Sequence, residues 1–191
     1  MRGKDETVLA VRESSITRIT QKCLNLDAAI PLITLSVPLP NNSSRSYIVP
    51  TPEIPHYTPP GRATCGFTAY NVTDKKAVFL KDTWRIDLPG ITPEGGVYSI
   101  LNVGSACNVP QCLASGDIST PEYHATTTIN YADCSWACKG CRCHPNGPWI
   151  PHRHYHIVLD VLGRSLVDYE SSREMVTAVR DALHGGLLWS F

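Results

Sequence analysis

The chain has 191 residues, 42% of them hydrophobic, and its 17 basic side chains balance its 17 acidic ones. This apolar content suffices for one globular domain with a core and argues against an intrinsically disordered chain. Because the net charge is zero, no overall electrostatic field favours nucleic acid or an anionic membrane surface. We therefore expect neither nucleic acid nor a membrane among its partners.

The location of the protein is predicted from two further features. No apolar run reaches the ~18 residues that a membrane-spanning helix needs, and the first residues lack the apolar core of a signal peptide. Both features predict an intracellular protein, cytoplasmic or nuclear. The eight cysteines are therefore expected to be reduced thiols and not a disulfide framework.

Residues 1–60 are predicted to be an amino-terminal extension that ends in a proline-rich linker. The segment 5–26 has a mixed pattern compatible with a helix. In 41–61 proline recurs too often for regular structure, because it donates no backbone hydrogen bond and drives the preceding residue toward extended geometry. A single domain is predicted over 61–191.

The domain is predicted to begin with a β-hairpin. Two apolar runs, 64–72 and 77–86, flank a short polar connection. Alternation along the second run puts Phe79, Lys81 and Thr83 on one face and Val78, Leu80 and Asp82 on the other. Burying a lysine ammonium costs roughly several kcal/mol unless an anion pairs with it. If Lys81 is buried, the nearest plausible carboxylate on another element is Glu94. On spacing alone, it is equally plausible that the Lys81 side chain extends to solvent and needs no partner.

A helix is predicted over 92–104, with Pro93 at its first position and Thr92 as its cap. Gly95 and Gly96 are expected to weaken this helix by about 1 kcal/mol each relative to alanine. A short strand is predicted to begin at Cys112.

The strongest predicted strand is 156–163, which is β-branched, apolar and closed by a glycine. A last helix is predicted to follow it, because Ser171 and Glu174 have the spacing of a capping box. Gly185 is expected to end that helix.

The segment 134–156 holds four of the eight cysteines and four of the seven histidines. Such a density of thiolates and imidazoles can supply the tetrahedral ligands of zinc, and the zinc candidates are Cys134, Cys138, Cys141 and Cys143. Structural zinc sites usually use two separated pairs, whereas these ligands are crowded into ten residues. A loop of reduced thiols is therefore favoured over zinc, and a redox-active C-x2-C pair is a further alternative.

The order of a strand lysine, a helix glutamate and a strand that ends at a glycine hinge is typical of the amino-terminal lobe of protein kinases. Four blocks carry a more specific resemblance: GRAT, FLKDTWR, HYHIVLDVLGRSLVDYES and REMVTAVRDALHG, beginning at residues 61, 79, 154 and 173. Together they resemble the fungal-type protein kinase-like family. The resemblance implies an α+β fold: an antiparallel sheet plus one helix, then the hinge and the first helix of the large lobe.

The resemblance also implies a nucleotide site for ATP. Lys81 is similar to the phosphate-binding lysine of the third strand, and Glu94 is the candidate for its partner. Leu159 stands at the gatekeeper position, and the backbone of Asp160 and Leu162 is expected to face the adenine. The segment that approaches the phosphates is expected to run from Gly61 to Thr64. The segment 125–152 is then a cysteine-rich insertion on which the resemblance is silent.

The sequence departs from the family after its last helix. It contains neither a His-Arg-Asp nor an Asp-Phe-Gly triplet, so the resemblance assigns no catalytic residue, and Mg²⁺ is expected only in a full-length relative. The chain is therefore interpreted as a truncated member of the family that does not transfer phosphate alone. A non-catalytic nucleotide- or protein-binding module and a small zinc protein are the alternatives. The uncovered hinge-side surface is expected to promote self-association.

Overall fold

The computed structural model describes residues 8–41, 43–52, 64–118, 124–127, 130, 134, 150–164 and 166–187. This part of the chain is α+β, with one seven-stranded antiparallel sheet and three helices. The strands are β1 Val8–Ala10, β2 Leu32–Pro38, β3 Ser44–Pro50, β4 Cys65–Asn71, β5 Lys76–Ile86, β6 Cys112–Asp117 and β7 His152–Leu159. The helices are α1 Ser14–Leu24, α2 Glu94–Val103 and α3 Ser172–Leu187, and a short 3-10 turn spans Leu166–Asp168.

The sheet has the strand order β1-β2-β3-β4-β5-β7-β6, and every neighbouring pair is antiparallel. The long strand β5 lies between β4 and β7. Although β5 and β7 are neighbours in the sheet, α2 and the edge strand β6 lie between them in the sequence. The sheet also curls so that β2 approaches β6. The approach is close at Gly116, because a Cβ added to this residue would lie only 2.9 Å from Pro38 Cβ.

The curled sheet has an inner face and an outer face, and each residue of a strand points to the face opposite to that of its neighbour. The inner face encloses the main core, in which Tyr47, Val78, Leu80 and Val158 are almost fully buried. The outer face carries two smaller clusters. One lies beneath α1, where Leu32, Ile48 and Tyr70 pack, and the other includes Tyr155, Ile157 and Leu159 with Tyr98 of α2.

The predicted hairpin is confirmed as β4 and β5, joined by a turn in which Lys75 has a φ of 52°. The predicted faces of β5 are confirmed as well. The linker prediction is wrong for Ser44–Pro50, which forms β3 in the middle of the sheet. Its prolines could not prevent the strand, because Pro50 is the last residue of β3 and the buried residues before it are not prolines.

Four predicted boundaries are also wrong. The strand predicted over 156–163 lies at His152–Leu159. The segment 5–26 is not one helix, because Val8–Ala10 pairs with β2 before α1 begins. Helix α2 begins at Glu94 with Pro93 in the cap position and no side-chain cap. Helix α3 continues through Gly185 to Leu187, although the Ser171 hydroxyl does accept a hydrogen bond from the Glu174 amide at 3.3 Å.

Helix α3 presents an apolar stripe to solvent. Met175, Val176, Val179 and Leu183 are 40–63% exposed, and they recur at helical spacing. The uncovered hinge-side surface and the self-association expected through it stay predictions. Among the described residues, no helix is both long enough and apolar enough to cross a membrane.

Gly95 allows α2 to touch the sheet. Its backbone amide donates a hydrogen bond to the Tyr155 hydroxyl at 3.0 Å, and a Cβ at this position would overlap the Ser115 hydroxyl and lie 2.6 Å from that of Tyr155. The glycine that weakens the isolated helix is therefore required by its packing, because no larger residue fits between α2, β6 and β7.

We predict that Gly95→Ala lowers the free energy of unfolding by about 1–2 kcal/mol, since overpacking costs more than the roughly 1 kcal/mol that alanine adds to helix propensity. Gly104→Ala at the end of the same helix is the matched control, because a Cβ there is 3.4 Å from its nearest neighbour. Urea unfolding of both variants gives the comparison. A Gly95→Ala protein as stable as the wild type would contradict the role of this contact.

Candidate functional site

The candidate site lies on the outer face, where β5 is flanked by β4 and β7. The register places Lys81 between Gly66 of β4 and Ile157 of β7. Phe79 and Thr83 are its neighbours on the same face of β5. The lysine therefore sits in the middle of three paired strands, and its side chain points toward the face on which α2 packs.

Lys81 forms an ion pair with the first residue of α2. Its Nζ donates to Glu94 Oε2 at 2.7 Å, and the two side chains are 26% and 36% exposed. The partner proposed from the sequence is thus the one found in the structure. Because both groups are still open to solvent, the pair adds at most ~1 kcal/mol to stability, and an ammonium held in this way still presents a charge to a ligand.

The contact between Gly95 and Tyr155 fixes the position of Glu94. Tyr155 lies on β7, two positions from Ile157, the cross-strand neighbour of Lys81. Burial raises the pKa of the Tyr155 hydroxyl, although hydrogen bonds from Ser115 and Gly95 act in the opposite direction. The hydroxyl therefore stays protonated at neutral pH and caps α2 next to Glu94.

Four charged side chains form a network on the same face, at the end of β5 and the start of β7. Arg85 donates two hydrogen bonds of 2.7 Å to the two oxygens of Asp117 on β6, and this pairing is the main reason why the pKa of Arg85 is raised. Arg153 donates to Asp87 at 2.8 Å. Burial alone would raise the pKa of Asp87, but the hydrogen bond and charge of Arg153, with the charge of Arg85, hold it below its usual value. The network joins β5, β6 and β7.

The predicted hinge leaves the sheet directly after β7. Leu159 is buried, with 8% of its surface exposed, and pairs with Phe79 across the strands. The Asp160 amide donates to the Gln111 carbonyl at 3.1 Å, and its side chain accepts from the Gln111 amide at 2.8 Å. In the described part of the chain, neither the Asp160 carbonyl oxygen nor the Leu162 amide makes a backbone hydrogen bond.

Phe79 was not assigned a role by sequence reasoning. Its ring lies over Gly66, where a Cβ would be only 3.0 Å from Phe79 Cζ. The half-buried ring therefore covers the patch between Lys81 and the hinge. The sequence did contain a signal for this role, an aromatic residue two positions before the strand lysine. Such a residue places a flat apolar surface beside the positive charge.

The remaining site residues fall in different places. Thr64 lies opposite Thr83, and their hydroxyls are 2.9 Å apart. Gly61 lies outside the described residues. Of the zinc candidates, Cys134 is a half-buried free thiol, whereas Cys138, Cys141 and Cys143 lie outside the described part. The other described cysteines are also free: Cys23, Cys65, Cys107 and Cys112.

A second group of polar side chains lies on the inner face, and sequence reasoning did not bring it together. Asp82 Oδ1 is 2.5 Å from His154 Nε2 and 3.7 Å from His156 Nε2. The spacing of the two histidines placed them on one face of a strand, but their shared contact with Asp82 depends on the register of β5 and β7. That register cannot be read from either segment alone.

The chain was compared with protein-family models, curated proteins and solved structures, and none of them matches it.

We predict that Tyr155→Phe lowers the free energy of unfolding by about 1–2 kcal/mol, because it removes the acceptor of the buried Gly95 amide. Tyr98→Phe, on α2 itself, leaves that contact intact and serves as the control. Denaturant unfolding measures both, and hydrogen exchange at the Gly95 amide reports the lost bond directly. Unchanged exchange at Gly95 would contradict the assignment.

Proposed function

We propose that this chain is a nucleotide-binding module of the protein-kinase amino-terminal-lobe type, with ATP as its ligand and no phosphotransfer activity of its own. The ion pair between Lys81 and Glu94 carries the proposal. In protein kinases, a strand lysine contacts the nucleotide phosphates while a helix glutamate holds it in place. Here the same two residue types occupy a strand and the following helix, 2.7 Å apart.

The order of elements around this pair supports the proposal. Counting from β3, the lysine lies on the third strand, β5, and the glutamate lies on the helix that follows it. The fifth strand, β7, pairs with β5 and ends at Leu159, directly before the hinge segment. This order of elements supports the proposal, and strands β1 and β2 with α1 precede it in the chain.

The polar groups of the hinge suit an adenine. Its amino group donates a hydrogen bond and its adjacent ring nitrogen accepts one, so it needs an acceptor and a donor at the edge of the site. The Asp160 carbonyl and the Leu162 amide are those two groups, since the Asp160 amide is already bonded to Gln111. Phe79 lies between this edge and Lys81 and offers its ring for stacking against the base.

Each residue then has a defined part in binding. The hinge backbone selects the base, and the ring of Phe79 excludes water from one of its faces. Lys81 binds the phosphate oxygens, and Glu94 keeps the ammonium directed toward them. A Mg²⁺ ion would neutralise phosphate charge together with Lys81 in a full-length relative.

The proposal is tested by titrating the chain with ATP and with adenosine by calorimetry. Lys81→Met keeps the aliphatic stem and removes the charge, so we expect ATP affinity to fall by about 10- to 100-fold, as for one lost charged hydrogen bond of roughly 1.5–3 kcal/mol. Adenosine, which carries no phosphate, should bind the variant and the wild type equally. Glu94→Gln should give an intermediate loss.

Lys76→Met is the matched control, because Lys76 begins the same strand and is exposed. Its ATP affinity should equal that of the wild type. Saturable ATP binding that is equally strong in Lys81→Met and Lys76→Met would place the phosphates elsewhere. If ATP does not bind the folded wild-type chain, the nucleotide function is wrong.

The alternative is a protein-binding module, and the observation that favours it is the exposed apolar stripe of α3. If this stripe mediates self-association, the sedimentation coefficient should rise with protein concentration, and Val176→Asp with Val179→Asp should keep the chain monomeric. Thr177→Asp, on the same helix, is the control for added charge. A chain that stays monomeric at all concentrations would contradict self-association.

A further inference from the structure

Three potential metal ligands converge on the inner face of the sheet. Asp82 on β5 stands directly opposite His156 on β7, and His154 lies two residues before His156 on the same strand. One ligand atom from each residue can be chosen so that all three lie within 4.8 Å of one another. Both histidines are buried, and the Asp82 side chain is 28% exposed.

Aromatic rings hold His154 in place. Its ring lies nearly parallel to those of Trp84 and His124, with centroid distances of 5.2 and 5.1 Å, and His156 meets it edge-on at 5.0 Å. His154 Nδ1 also lies 2.9 Å from His124 Nδ1. The imidazole therefore cannot turn away from Asp82, and its Nε2 remains directed toward the carboxylate.

We propose that Asp82, His154 and His156 bind a divalent transition-metal ion, Zn²⁺ in particular. Two imidazoles and one carboxylate form a ligand set that zinc takes in proteins. Burying this set beside the apolar core carries a desolvation cost, which bonds to a cation would offset. With three protein ligands, the fourth position of the tetrahedron is left to a solvent molecule.

The two distances from Asp82 fit a tetrahedral ion after a small adjustment. Ligand atoms bound at 2.0–2.1 Å in a tetrahedron are about 3.3 Å apart. The two separations from Asp82 Oδ1, 2.5 and 3.7 Å, lie on either side of this value. Opening the shorter contact by less than 1 Å admits the ion, and the side chain of Asp82 can supply that movement because it is the most exposed of the three.

His124 would act as a positioning residue in this site. A ligating His154 uses the lone pair of Nε2 and carries its proton on Nδ1, and that proton would be donated to His124 Nδ1. Such hydrogen bonds fix the tautomer and orientation of a ligating imidazole. The interaction between the two Nδ1 atoms is therefore the outer contact that a metal-binding His154 requires.

The site is independent of the proposed nucleotide site. Lys81 and Asp82 are consecutive residues of β5, so their side chains lie on opposite faces of the sheet. Zinc binding by the inner face can therefore be right when nucleotide binding is wrong, and the reverse also holds. A Lys81→Met protein should bind zinc like the wild type, which separates the two proposals.

The experiment is zinc titration of the full chain in which Cys134, Cys138, Cys141 and Cys143 are replaced by serine. This background removes the cysteine cluster that the sequence offered as a zinc candidate, and the Co²⁺ spectrum below reports any ligation by the remaining thiols. We expect one equivalent of Zn²⁺ per chain. Co²⁺ as a probe should give the visible absorption of a tetrahedral ion without the near-ultraviolet band of thiolate ligation.

Asp82→Asn is the decisive variant, because it keeps the size of the side chain and removes the anionic ligand. We expect it to weaken zinc binding by more than about 100-fold while its circular dichroism stays that of the wild type. His124→Gln should weaken binding by roughly 10- to 100-fold, as for other second-layer partners. His152→Gln is the control, since His152 lies on β7 outside the triad and should leave affinity unchanged.

Two outcomes would overturn the proposal. One is a folded serine-substituted chain that binds less than a tenth of an equivalent of zinc. The other is full zinc binding by a folded Asp82→Asn protein.

Discussion

The close contact between α2 and the edge of the sheet determines where the functional groups of the outer face stand. Because Gly95 has no side chain, the helix can approach Ser115 and Tyr155. The Tyr155 hydroxyl then accepts a hydrogen bond from the Gly95 amide. Glu94, the preceding residue, is thereby brought to Lys81. A residue with a Cβ at position 95 would move the helix outward, and the ion pair would lose one of its members. Packing at one glycine thus controls the electrostatics of the site.

Strand β5 serves two faces with different chemistry. Its odd-numbered residues, among them Phe79 and Lys81, point to the outer face beside α2. This face is open to solvent, so a charged ligand can be bound there. Its even-numbered residues carry Leu80 to the core and Asp82 to the buried histidines of β7. Because both faces depend on one register between β5 and β7, a shift of that pairing by one residue would remove both sites together.

The sequence supplied the parts of the fold that depend on local pattern. Alternation in 77–86 was enough to predict the two faces of β5. The sequence also named Glu94 as the candidate partner of Lys81, but spacing alone left a lysine that reaches solvent as an equal alternative. Strand β3 was missed because the prolines around it obscured three buried residues. The need for Gly95 and the meeting of Asp82 with His156 were missed for another reason: both depend on contacts between elements distant in sequence, and no local pattern encodes them.

The central claim is that the outer face beside Lys81 binds a nucleotide, with its base at the hinge. The most direct test is backbone amide NMR of the folded chain during addition of ATP. The account predicts saturable shifts at the amides of Leu162, Phe79 and Lys81, with none at His154 or His156 on the inner face. Shifts confined to residues away from β5 and the hinge, or no shifts at saturating ATP, would contradict it.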